Sequence, residues 1–125
     1  MNKIKLYHYS NTDIKDKIKV SYYGANFYTS NDKNITTIKR AFYYTRPEPE
    51  HLLSGSRFLY ITEIKPEVLY NITRDIKGYL KSQSIGRALR QVKRRYKGVI
   101  YNIGNRQVVN LFYDSKIKNK IGLTS

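Results

Sequence analysis

The run SIGRALRQVKRRYKGVIYNIGNRQVVNLF, Ser84–Phe112, holds a helix, a stop and a two-stranded ribbon in succession. Ser84 has the short polar side chain that caps helix starts. After it, Ile85, Ala88, Leu89, Val92 and Tyr96 recur at helical spacing and share one face, which predicts a helix over Ile85–Tyr96. Gly98 stops it. Val99–Asn102 and Gln107–Phe112 then read as two strands, joined through Ile103-Gly104-Asn105-Arg106 in a hairpin-like connection. A helix feeding an antiparallel ribbon points to an α+β protein.

Working outward, Arg57–Ile64 alternates Phe58, Tyr60 and Thr62 against Leu59 and Ile61, which predicts a strand. Pro66 breaks it, and Val68–Ile72 resumes extended chain. Lys3–Tyr9 alternates polar and apolar residues and predicts the first strand, with a short aromatic strand at Asn26–Thr29 after Gly24. Ile14 and Ile18, four apart, predict a short helix in Asn11–Lys19. Ile35, Ile38 and Ala41 or Phe42 predict a longer helix over Asn31–Tyr44, with Ser30, Asn31 or Asp32 as its cap. Arg46-Pro47-Glu48-Pro49-Glu50 cannot continue that helix, because proline lacks the N–H and restricts the residue before it. The expected molecule is one domain over residues 1–125: split, mainly antiparallel β-sheets with two or three helices.

The chain has 125 residues, 13 Tyr, 4 Phe and no Cys or Trp. Without Cys there is no disulfide framework, thiol catalysis or thiolate metal site. His8 and His51 are far apart and have no local carboxylate pattern, so metal ligation finds no support. No phosphate-binding glycine loop occurs. No segment approaches the ~18 consecutive apolar residues of a membrane span. The expected compartment is the cytosol, and no membrane partner is expected.

Charge is the strongest compositional signal. The net charge is +15; residues 76–125 carry 12 Lys or Arg against Asp114 alone. Arg87, Arg90, Arg94 and Lys97 form a stripe on the predicted helix, flanked by Lys93 and Arg95. Such a field attracts phosphates or acidic proteins. Solubility alone is served better by mixed signs. An anionic partner is therefore expected on Arg87, Arg90, Lys93, Arg94, Arg95 and Lys97.

His8 ends the first strand in Leu6-Tyr7-His8-Tyr9-Ser10, where a side chain can face a cleft or sit hydrogen-bonded in a core. That segment resembles the first-strand histidine motif of the His–Tyr–Glu class of ADP-ribosyltransferases. Gly24-Ala25-Asn26-Phe27-Tyr28-Thr29-Ser30 resembles that class's second motif. Tyr96-Lys97-Gly98-Val99-Ile100-Tyr101 and Gln107–Asp114 resemble its later segments, in the same order, in small phage and bacterial members.

The resemblance implies NAD as substrate. His8 would bind the nicotinamide ribose, and the backbone of Tyr9 and Ser10 would cradle the carboxamide. Tyr28, after Gly24, would stack on the nicotinamide ring, with Phe27 or Tyr44 competing for that place. The class places a Glu at the start of the closing strand, where Arg106-Gln107-Val108 has none. Gln107 can hydrogen-bond a ribose hydroxyl but cannot act as a base. Two functions stand open. One is a mono-ADP-ribosyltransferase that uses His8, Tyr28 and Gln107 to modify a host protein or nucleic acid, such as a phage-encoded counter-defence or toxin-like protein. The other is an inactive module or inhibitor acting on nucleic acid, or on a nucleic-acid-binding complex, through its basic C-terminal half.

Overall fold

A computed structural model describes residues 2–23, 27–28, 34–35, 38–79 and 85–123. The strands are β1 (Ile4–Ser10), β2 (Lys17–Ile18), β3 (Ser21–Tyr23), β4 (Phe27–Tyr28), β5 (Asn34–Ile35), β6 (Ile38–Tyr44), β7 (Phe58–Ile64), β8 (Leu69–Asn71), β9 (Gly98–Ile103), β10 (Arg106–Leu111), β11 (Ser115–Lys116) and β12 (Asn119–Gly122). The helices are α1 (Pro49–Leu53) and α2 (Ile85–Arg95), with a 3-10 turn at Pro66–Val68. The protein is α+β, with a mostly antiparallel sheet, as the sequence predicts.

The main sheet runs β12-β7-β1-β6-β10-β9-β8, and β3 pairs with β6. Among the described residues only β8 and β9 pair in parallel. Chain connectivity forces this sheet to bend. β7 and β8 stand five places apart in the order, which is ~24 Å across a flat sheet. From Ile64 to Leu69 the chain can stretch at most ~17 Å. The two halves therefore fold over each other. Leu69 and Leu111 from one half accordingly pack in one core with Leu6 and Tyr60 from the other.

The bend falls between β1 and β6. These strands pair only at Tyr7 and Tyr44, whereas β1 pairs with β7 along all seven of its residues. The inner face carries Leu6, Ala41, Tyr43, Tyr60, Val109 and Leu111, closed by Ile14, Ile18 and Ile117. The outer face of β8–β10 is covered by α2. Ala88 and Val92 of that helix are buried against Tyr70, Val99 and Phe112. Full burial of an aliphatic side chain such as Val92 stabilises by about 2 kcal/mol.

Two expectations need correction. Asn31–Tyr44 is not helical where it is described: residues 34–35 and 38–44 are strands. Pairing of β6 with β1, β3 and β10 outweighs helical spacing, and Phe42-Tyr43-Tyr44 suits a pleated surface. Asn11–Lys19 also lacks a helix. Its backbone is held by side chains instead, since the Tyr60 hydroxyl accepts the Ile14 N–H at 2.7 Å and donates to the Thr12 carbonyl at 2.6 Å. No helix runs through the proline segment, as expected; a new one starts in it, because Pro49 occupies the first turn of α1, where a missing N–H costs nothing. The predicted caps Ser84, Ser30, Asn31 and Asp32 lie outside the described residues.

Candidate functional site

His8 projects from β1 onto the inner face, 5.4 Å from the Tyr43 ring and 6.4 Å from Tyr60, centroid to centroid. Its Nδ1 lies 2.7 Å from the carbonyl oxygen of Phe42, across the gap where β1 and β6 part. Burial holds its pKa below the usual histidine value; the Phe42 carbonyl opposes that and the His51 charge adds to it. A neutral imidazole donating from Nδ1 to a carbonyl leaves Nε2 as an acceptor. That is the form in which a histidine receives a sugar hydroxyl. It is equally the form of a satisfied core histidine.

The other expected cofactor residues divide between two faces of the sheet. Strand alternation and the Tyr7–Tyr44 pairing put Tyr9 and Tyr44 on the face opposite His8. There Tyr9 stacks on His51 of α1 at 4.5 Å, and Tyr44 lies 5.0 Å from the same ring. The Tyr9 hydroxyl accepts the Glu48 N–H at 2.8 Å. The Ser10 hydroxyl accepts the Thr12 N–H at 3.1 Å. Tyr9 and Tyr44 thus anchor α1 to the sheet. Gln107 is exposed on the same face as His8, with β6 between their strands, and its carbonyl accepts the Thr45 N–H. Phe27 and Tyr28 form β4, which pairs with β5 apart from the main sheet. Gly24 lies outside the described residues. Among the described residues, no cluster of three metal-ligating side chains occurs, and no helix is long and apolar enough to cross a membrane.

A second feature stands elsewhere. A groove of about 840 Å³ opens between the end of α2, the end of β7 and residues 113–118. Eight cations line it: Lys3, Lys65, Lys93, Arg94, Arg95, Lys97, Lys116 and Lys118. The lining acids are Glu63 and Asp114, and Asp114 is already engaged by Lys17 at 3.7 Å and by the Val20 N–H at 2.9 Å. Among the described residues, none of the eight cations has a carboxylate partner within 4 Å. Arg46 and Arg106 behave otherwise, because Glu48 sits 3.7 Å from each and Glu50 also pairs with Arg106. That second basic cluster is internally neutralised; the groove is not.

The groove has a fixed frame. The Lys97 N–H donates to the Val68 carbonyl and the Phe112 N–H to the Lys97 carbonyl, both at 2.8 Å. These bonds tie the end of α2 to the 3-10 turn and to β10. Thr62 donates to the Lys116 carbonyl at 2.8 Å and ties β7 to β11. Lys93, Arg94 and Arg95 lie in the last turn of α2, where cations also complement the helix dipole. The dipole accounts for two or three charges at most, not for Lys3, Lys65, Lys116 and Lys118.

Four of the six predicted anion-binding residues, Lys93, Arg94, Arg95 and Lys97, line the groove. Arg87 and Arg90 are exposed farther back on α2, outside its lining. Sequence reasoning missed Lys3 and Lys65, because they lie just before β1 and just after β7, distant in the chain. It also missed Lys116 and Lys118, whose only signal was the charge excess of the C-terminal half.

No protein-family model, curated protein or solved structure matches this chain.

Proposed function

We propose that the protein is a nucleic-acid-binding module that uses the basic groove. The observation that carries this reading is the set of eight cations on one preformed groove without carboxylate partners among the described residues. Like charges gathered this way repel one another. Phosphates relieve the repulsion and release condensed counterions, which drives association. Regular phosphate spacing suits a groove whose cations come from four separate segments. Arg94→Glu with Lys97→Glu tests it by fluorescence anisotropy on a labelled oligonucleotide at 50 mM salt. Binding should weaken at least ten-fold while the melting temperature stays within a few degrees. Undiminished binding would move the site away from the groove.

A second reading rests on His8. Its neutral ring, bonded through Nδ1 at the parting of β1 and β6, has the acceptor geometry that the ADP-ribosyltransferase resemblance requires for NAD. Transfer of ADP-ribose to a host macromolecule would then be the activity. A ligand that binds only the native state raises the melting temperature by mass action. NAD should raise it in the native protein but not in His8→Asn, whose amide can replace the Nδ1 donor. No shift with NAD would leave His8 as a core residue.

A further inference from the structure

Tyr113 follows directly on Phe112, whose ring is buried against α2. Tyr113, in the bend past β10, belongs instead to the lining of the basic groove, with more than half of its surface exposed (55%). No ring of the described residues contacts it. Tyr96 lines the same groove but is half-buried and packed on Tyr70 at 5.1 Å. The groove thus offers one unoccupied aromatic face among cations. A phenol ring left in water contributes little to folding, and phosphate binding has no use for it. A nucleobase does, since every base presents a π-face.

The form of the nucleic acid follows from what each form exposes. A duplex hides its base faces in the stack and offers only edges and phosphates. Its grooves are read by elements that protrude, whereas this surface is concave. An unpaired strand can lie in a groove, set phosphates on the walls and turn a base onto the ring. At about 840 Å³ the groove is near the upper end of the range that encloses one drug-sized ligand, which leaves room for a short run of nucleotides. We infer that the groove takes single-stranded nucleic acid, with Tyr113 as the platform on which a base stacks.

This inference rests on the nucleic-acid reading of the groove and fails separately from it. The experiment compares 12-nucleotide oligouridine, oligodeoxythymidine and a 12-base-pair duplex, binding wild-type, Tyr113→Ala and Tyr113→Phe proteins at fixed salt. Because the side chain is exposed, both variants should melt as the wild type does. Tyr113→Ala should weaken single-strand binding about ten-fold. Tyr113→Phe, which keeps the ring, should restore it. Duplex binding should be weaker and the same for all three proteins. The two single strands separate RNA from DNA as the preferred source; tighter binding of either supports the inference. Equal affinity for duplex and single strand, or a Tyr113→Ala loss under two-fold, overturns the stacking platform while the groove keeps its phosphate contacts. No binding of any of the three probes overturns both readings.

Discussion

His8 concentrates the question of what single residues do. Its bond to the Phe42 carbonyl spans the place where β1 and β6 separate, and burial lowers its pKa against the opposing effect of that bond. Because the folded state resists protonating it, stability is full above the unfolded pKa of about 6.5 and falls as pH drops below that value. A thermal-melting series from pH 7.5 to 5 should show this loss. His8→Asn should flatten that window; an equal slope in the variant would assign the loss to other groups. Tyr43, whose phenol burial pushes up to about 12, contributes on the alkaline side. Its contribution is full below about pH 10 and is lost as pH rises toward 12. Gly98 shows a third kind of residue effect. A Cβ there would stand 2.5 Å from the Asn110 carbonyl oxygen and 2.8 Å from the Leu111 side chain. Gly98→Ala should therefore cost about 1–3 kcal/mol through overpacking. Equilibrium urea unfolding checks this, and a neutral result would mean that β9 and β10 can move apart. The sequence marks Gly98 only as a stop; the close approach to β10 that excludes a side chain appears once the strands pair.

At the scale of elements, the legible ones carried their own evidence. α2 announces itself through Ala88, Leu89 and Val92 on one face, and β9–β10 through two apolar runs closed by Gly104 at positive φ. β7 is read correctly from its alternation. β6 is not, because Ile35, Ile38 and Ala41 recur at helical spacing, and the pairing with β1, β3 and β10 that makes it a strand lies outside its own segment. Residues 11–20 mislead for a related reason. Ile14 and Ile18 sit four apart, but the segment is fastened by Tyr60 and Asp114 from elsewhere in the chain. Tyr60→Phe tests that fastening. It leaves the Ile14 N–H and the Thr12 carbonyl unpaired, at a cost of about 1–3 kcal/mol. Hydrogen exchange should speed up in residues 11–20 before it does in β1 or β7. Uniform acceleration across the sheet would instead make Tyr60 a global core residue with no local role.

Over the whole molecule, the bend in the sheet gathers what the chain separates. It brings Lys3 and Lys65 to the end of α2, beside Lys116 and Lys118, and so builds a groove that no single segment contains. The charge excess of the C-terminal half made an anionic partner legible, and the end of α2 with Lys97 just beyond it supplied half of the eight cations. The contribution of the N-terminal half was hidden, because it depends on β7 and β8 being drawn together by a short connection. The same topology keeps His8 out of the groove lining, so a nucleotide site at His8 and a strand in the groove remain separable by mutation. The central claim is that this groove binds nucleic acid through phosphates. The most direct measurement is the affinity for a labelled single-stranded oligonucleotide between 50 and 200 mM salt. With about four phosphates neutralised, log affinity should fall against log salt with a slope near −3. A slope near zero, or no binding at 50 mM, would contradict it.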